Sequence, residues 1–338
     1  MGVSMNSFER VRAIIDGDDF DRPAVIAPVS IATYESCKAL GIDFAKAHQG
    51  PEAAAALAVY PHLNLGVDSA MPYFSVVLEA AALGETIDWG SDLDMPAQKY
   101  LPGHYAKDFD MPGDFLDRAP IKAMLDAIKL IRKKHGSEVF IFGKVMGAWT
   151  LGLHLCGTEN FLIDTLIDKE RVHYLLGKYK QITQVFAQAQ LCAGADMITM
   201  ADHITGDLAS RETYVEFLQP IHRNLLKQFD KTTFVLHCCG KTLDRIPLFN
   251  EAGFDLFHFE SKNDAGKAIE LAGDMMLTGN INIPDTLYAG APDDVGQEVT
   301  QILKSGIKLI SPECALPLQT RNENLLAISQ TVINRNHQ

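Results

Sequence analysis

Residues 197–240 read MITMADHITGDLASRETYVEFLQPIHRNLLKQFDKTTFVLHCCG, and this stretch decides the fold. It opens on a short apolar run (197–201) that breaks into the polar pair Asp202-His203. A helical pattern fills 210–228, and a second apolar run (233–237) breaks into Cys238-Cys239-Gly240. Apolar runs of this length, without polar alternation, suit strands of a parallel sheet buried on both faces. Strand, helix and strand in succession make a unit whose two strands lie parallel.

Outward from this unit the pattern recurs. Further apolar runs stand at 24–27 (AVIA), 67–74 (VDSAMPYF), 139–145 (VFIFGKV), 256–259 (LFHF), 275–278 (MMLT) and 307–310 (IKLI). Helical patterns at 121–134, 160–193, 265–271 and 292–305 separate most of them. Eight strands alternating with helices predict an α/β fold, a (β/α)8 TIM barrel. The expectation is a single domain over 1–338 with an N-terminal helical segment in 1–20. Asn6 and Glu9 predict a capping box for a helix over 7–15, and Gly17 ends it. An open doubly wound sheet is the competing architecture. It favours a glycine-rich phosphate turn after the first strand, and 27–36 (APVSIATYES) has none.

Composition narrows the function classes. The 338 residues are 47% hydrophobic and 22% charged, which excludes a disordered or fibrous chain. A net charge of −13 opposes binding to phosphate backbones and anionic lipid, so neither nucleic acid nor a membrane is an expected partner. The opening 1–17 carries charge early and lacks an apolar signal core. Its Met-Gly start departs from the myristoylation pattern because position 6 is Asn. Six cysteines are too few for a disulfide scaffold. A cytoplasmic chain with reduced thiols is expected, in which clustered cysteines point to metal or catalysis.

A barrel places its functional residues just after the strands, at the C-terminal face. Asp202 and His203 follow the fourth apolar run, His237 and Cys239 the fifth, Glu260 the sixth, Asn280 the seventh and Cys314 the eighth. If the fifth strand continues to Cys239, alternation turns His237 and Cys239 toward one side. Cys314, 75 residues on, arrives at the same mouth on the eighth strand. One imidazole and two thiolates suit Zn2+, and three protein ligands with an exchangeable fourth mark a catalytic site. Glu260 is the expected displaceable fourth ligand. Alone, a His-x-Cys pair is weak, and buried cysteines are commonly packing residues. Cys37, Cys156, Cys192 and Cys238 are read that way.

On these residues the chain resembles the uroporphyrinogen decarboxylase superfamily, and within it the zinc-dependent, corrinoid-linked methyltransferases. The segments that carry the resemblance are 8–25, 71–84, 145–162, 197–210, 235–240 and 309–320. The last two hold a His-x-Cys…Cys signature at His237, Cys239 and Cys314. The resemblance implies a barrel holding zinc, with a corrinoid protein capping the mouth and a small methyl donor or acceptor between them. The sister decarboxylases are implied to use an N-terminal arginine-rich loop and an Asp in a Phe-Ser-Asp segment. Here 27–36 has no arginine, and Ser75 takes the place of that Asp.

Two reactions suit such a site. A zinc-bound thiol becomes a nucleophile toward methyl–Co(III), or zinc polarises the oxygen of a methyl ether whose methyl passes to Co(I). A sulfonate-bearing thiol such as coenzyme M favours a nearby Lys or Arg. The sequence places few at the strand ends, with Lys144 inside the third strand and Lys262 after the sixth. Aromatic residues are better represented. Tyr34, Tyr73, Phe74, Trp149, Phe257 and Phe259 suit a flat methoxylated ring where they face the mouth. Tyr34, Tyr73, Phe74 and Asn280 are the expected substrate contacts. Asp202 and His203 would bond a phenolic hydroxyl or manage a proton. The balance favours O-demethylation of an aryl methyl ether, with thiol methylation as the alternative.

Overall fold

A computed structural model describes residues 4–91, 94–99, 110–231 and 233–335. The Met-Gly start read above lies outside the described residues. Eight parallel strands form the barrel: β1 (Ala24–Val25), β2 (Ser69–Ala70), β3 (Phe140–Met146), β4 (Met197–Ala201), β5 (Phe234–Cys238), β6 (Leu256–Phe259), β7 (Met276–Ile281) and β8 (Leu309–Pro312). Each of the eight apolar runs contributes one of them. From β2 to β8 each strand pairs with its sequence neighbour through β3, β4, β5, β6 and β7, and β8 pairs with β1. A two-stranded antiparallel ladder, Ile87–Asp88 with Ala97–Gln98, lies apart from the barrel.

The seam between β1 and β2 is closed largely by side chains. The Asp68 amide donates to the Val25 carbonyl at 2.6 Å. In return the Val25 amide donates to Asp68 Oδ2 (2.9 Å), and the Ala27 amide donates to Ser69 Oγ (2.8 Å). Asp68 and Ser69 are each 1% exposed, so these bonds are dry. The run at 67–74 therefore yields only a two-residue strand. Its polar members bond sideways, and the ladder ends before Pro72.

The helices follow their local signals. Ser7–Asp16 starts on the Asn6–Glu9 capping box and stops at Gly17, which takes φ +78°. Pro292–Ser305 has the predicted bounds. The predicted helix 160–193 is two helices, Thr158–Ile167 and Lys169–Ala193. Asp168 breaks it by leaving helical geometry and capping the second helix through the Arg171 amide. The pattern at 210–228 contains a π-helical turn, Tyr214–Leu218, just before Pro220.

Strand alternation sorts β3 into two faces. A Cβ on Gly143 would strike Gln190 of the helix Lys169–Ala193 and Ile198, so Gly143 faces the helix layer. Lys144 therefore faces the barrel axis. On the edge beyond the reach of β2, side chains replace the ladder. Gln190 Oε1 accepts from the Lys144 amide (2.8 Å), its Nε2 donates to the Lys144 carbonyl (2.8 Å), and Glu79 Oε1 accepts from the Met146 amide (2.8 Å).

Candidate metal centre and substrate site

The rim after β5 and β8 is built by backbone turns. β5 ends at Cys238, one residue earlier than the alternation argument needed. Cys238 is fully buried, and Gly240 at φ +81° turns the chain so that Cys239 swings back over His237. A side chain at 240 would strike Thr205 and Asp207, so close approach also demands glycine. Asn263 ties this turn down. Its Oδ1 accepts from the Thr242 amide (2.8 Å) and its Nδ2 donates to the Gly240 carbonyl (2.8 Å). Just after β8, Glu313 is buried and clamps two neighbouring loops, accepting from the Ser261 amide (2.8 Å) and the Ile283 amide (2.7 Å). That anchors the residue before Cys314.

Three donor atoms meet there. Cys239 Sγ lies 3.2 Å from His237 Nε2 and 3.0 Å from Cys314 Sγ, and Cys314 Sγ lies 3.6 Å from His237 Nε2. Among the described residues this is the one group of three or more His, Cys, Asp or Glu side chains whose ligand atoms lie within 4.8 Å of one another. The set is chemically coherent for a borderline-soft cation. Burial, with neighbouring His258 and His203, holds the His237 pKa well below its ordinary value, which favours the neutral imidazole. The hydrogen bond between the sulfurs lowers the Cys314 pKa, which the Lys144 charge also favours, and raises that of Cys239. His258 stacks on His237 at 4.6 Å and is anchored by Nε2 on the Pro312 carbonyl (2.7 Å). Among the described residues His237 Nδ1 is buried and has no hydrogen-bond partner.

The other predicted site residues divide. His203 reaches the mouth, its ring 5.6 Å from that of His237, and burial with the Lys144 charge lowers its pKa to about 4. Asp202 lies beneath it. Oδ1 accepts from the Thr150 amide (2.8 Å) and Oδ2 lies 3.0 Å from His222 Nε2. Thr150 Oγ1 accepts from the His203 amide (2.8 Å), so Asp202 shapes the turn that carries His203. Glu260 falls outside the three-donor group. One oxygen takes the Gly240 amide and the other lies 3.1 Å from Lys262 Nζ. Glu260 braces the turn that holds Cys239, and the sequence did not reveal this because the Gly240 turn sets its direction.

The aromatic residues are mostly packing. Phe74 lies against Phe44 (6.1 Å) and His48 (6.2 Å) in the helix layer. Trp149 meets Phe161 edge-on, and Phe257 packs on Phe249 and Phe259. Tyr73 is fully buried and donates its hydroxyl to Glu79. Tyr34, at the start of the helix Tyr34–Leu40 after β1, is 40% exposed. Asn280, at the β7 rim, donates to the Asn263 carbonyl at 3.4 Å. Lys144 and His258 were missed as site residues. The direction of Lys144 follows from Gly143 packing on Gln190 and Ile198, which only the folded chain shows.

The uroporphyrinogen decarboxylase (URO-D) family model matches residues 6–335. The chain belongs to that family. It is an enzyme, and it stands with the methyltransferases of the family. A methylcobamide:CoM methyltransferase from Methanosarcina barkeri is 31% identical over 326 residues, 94% of this chain and 95% of that one. A methylated-thiol–coenzyme M methyltransferase from Methanosarcina mazei is 26% identical over 331 residues, 97% and 89% of the two chains. A solved methyltransferase structure from the same species superimposes with a TM-score of 0.92 at 27% identity, covering 98% and 99%. Among the described residues no helix is long and apolar enough to cross a membrane.

Proposed function

We propose that this chain transfers a methyl group between the cobalt of a corrinoid protein and the sulfur of a small thiol. The observation that carries the reading is the meeting of His237, Cys239 and Cys314 at the barrel mouth, in a chain similar over its length to methylcobamide:CoM and methylated-thiol methyltransferases. The thiol replaces the aryl ether favoured by the sequence. The aromatic platform on which the ether reading leaned is largely buried in packing, and Lys144, inside the third strand, is buried and faces the barrel axis.

His237, Cys239 and Cys314 would hold Zn2+, with His237 binding through Nε2 and the two thiols as thiolates. When bound, zinc lowers the pKa of a coordinated substrate thiol so that it is a thiolate at neutral pH. The chain's own residues do the rest. His258 fixes the plane of the His237 ring by stacking. Asn263 and Glu260 hold the 239–242 turn, and Glu313 holds the residue before Cys314. His203, neutral at the working pH, stands beside the site as a hydrogen-bond donor or acceptor without adding charge. Tyr34 and Asn280 on the rim remain candidate substrate contacts. A corrinoid protein would present its cobalt at the barrel rim, where Cys239 and Cys314 are partly exposed.

The test is spectroscopic. Zinc-loaded protein with methylcobalamin and coenzyme M should lose the methyl–Co(III) absorbance, and Cys314→Ser should leave it unchanged. Loss of Co(I) absorbance with guaiacol, and no reaction with any thiol, would restore the ether route.

A further inference from the structure

Cys239 and Cys314 are 75 residues apart and follow strands that do not pair, β5 and β8, with β6 and β7 between them. Their sulfurs nevertheless lie 3.0 Å apart, inside van der Waals contact. Backbone anchors on both sides hold this approach. Asn263 bonds the Gly240 carbonyl and the Thr242 amide, and Glu313 bonds the Ser261 and Ile283 amides. Both residues are partly exposed, so a small solute reaches their sulfurs from the rim. The other cysteines sit differently. Cys238 is fully buried with its Sγ toward the Cys239 carbonyl (3.6 Å), and Cys156 is fully buried against the Tyr179 hydroxyl (3.4 Å). Cys37 is buried in the core and Cys192 is exposed.

A thiolate that meets a peroxide becomes a sulfenic acid. A second thiol in contact converts it to a disulfide before it reaches the irreversible sulfinic state. In this pair each sulfur stands where it resolves the other. We propose that Cys239 and Cys314 close to a reversible disulfide under peroxide, and that closure expels the metal, so the site doubles as a redox switch. One thiolate takes an oxygen from hydrogen peroxide as the O–O bond breaks. The second thiolate attacks the sulfenic sulfur and expels hydroxide. Two electrons pass from the sulfurs to the peroxide, two protons are taken up, and the products are one disulfide and two waters. The disulfide has no thiolate left to bind metal, and His237 alone does not retain zinc. A dithiol reverses the step by returning two electrons and two protons, and is itself oxidised to a disulfide. Disulfide closure does not depend on the methyl-transfer reading; metal release rests on the three-donor site proposed above.

The test uses the full chain, zinc-loaded and metal-free, treated with hydrogen peroxide and then with dithiothreitol. Intact mass, peptide mapping and a chromophoric zinc chelator are read together. Peroxide should remove the mass of two hydrogens, join the peptides carrying Cys239 and Cys314, and release about one zinc per disulfide formed. Dithiothreitol should restore the mass and zinc uptake. Cys192→Ser, which removes the exposed thiol, should behave as wild type. Cys314→Ser should gain oxygen at Cys239 and form no cross-link between the two strand ends; should it misfold, the wild-type map decides alone. Oxygen adducts on Cys239 or Cys314 in wild type without a cross-link, a Cys238–Cys239 link in its place, or zinc retained after the disulfide is complete would each overturn the proposal. If wild type takes up no zinc, the metal reading and the release fail together, while the map of the metal-free protein still decides the cysteine pair.

Discussion

The barrel carries two buried charged clusters at opposite ends, and they are built on opposite rules. At the base, Asp68 is 1% exposed and completely engaged. Its Oδ1 accepts from Ser7 Oγ (2.8 Å), Arg10 Nη1 (2.7 Å) and Arg22 Nη2 (3.0 Å), and its Oδ2 from Arg22 Nη1 (3.0 Å) and the Val25 amide (2.9 Å). Arg10 is shared with Asp21 at 2.7 Å. At the mouth, among the described residues, His154 Nδ1 and His237 Nδ1 are buried with no hydrogen-bond partner, Lys144 Nζ meets only the face of the Tyr73 ring, and two thiols share one short contact. A buried charge left unpaired costs several kcal/mol, so the base is arranged for stability and the mouth is arranged for something that arrives.

The contrast breaks most visibly at Asp68. Asp68→Ala strands Arg10 and Arg22 and opens the β1–β2 seam. It should cost about 3–5 kcal/mol, read as a drop in the denaturant midpoint. A loss below about 1 kcal/mol would mean the cluster is solvated and contributes little. Cys314→Ser probes the other end. It should reduce methyl transfer more than about a hundredfold, beyond the usual effect of losing a residue that only orients a ligand, with the midpoint nearly unmoved. A large fall in stability without loss of metal would place Cys314 in the packing instead.

Acid offers a third comparison, away from both clusters. Burial lowers the His48 pKa to about 4, against about 6.5 in the unfolded chain. Between those values the unfolded state binds more protons, so this contribution is full above pH 6.5 and is lost as pH falls toward 4. His48→Gln should flatten the stability–pH slope by up to about 1.4 kcal/mol per unit in that window. An unchanged slope would show that His48 titrates normally.

Smaller effects sharpen the contrast by sign. Lys144→Met replaces an unpaired buried ammonium with an apolar chain of similar length. It should raise stability by about 1 kcal/mol in metal-free protein, opposite to Asp68→Ala. A loss of similar size would make Lys144 a structural partner of Glu79. Glu260→Gln should move least. Its oxygens brace Gly240 and Lys262 outside the donor group, so zinc stoichiometry should hold and transfer should fall less than about tenfold. Zinc loss equal to that of Cys314→Ser would make Glu260 a ligand.

How much of this could be read from residues follows from the range of each interaction. Parallel strands buried on both faces write themselves as apolar runs, and all eight were legible, as was the Asn6–Glu9 cap. His237, Cys239 and Cys314 were legible as strand-end residues because a barrel brings those ends to one mouth. The length of β2 was not legible, because Asp68 and Ser69 spend their polar atoms across the seam. The break at Asp168 was hidden inside a continuous helical pattern. Glu260 was legible as a strand-end carboxylate, but its bond to the Gly240 amide was not, because that turn is a tertiary feature. Lys144 was passed over because its direction depends on Gly143 facing a helix, a tertiary fact.

His237, Cys239 and Cys314, at the ends of β5 and β8, are proposed to form one metal site. Zinc content of the full chain purified without chelators, wild type beside Cys314→Ser, tests it most directly. Wild type should carry about one zinc per chain and the variant should lose it with the fold intact. A wild type that neither carries zinc nor takes it up, or a variant that keeps it, contradicts the account.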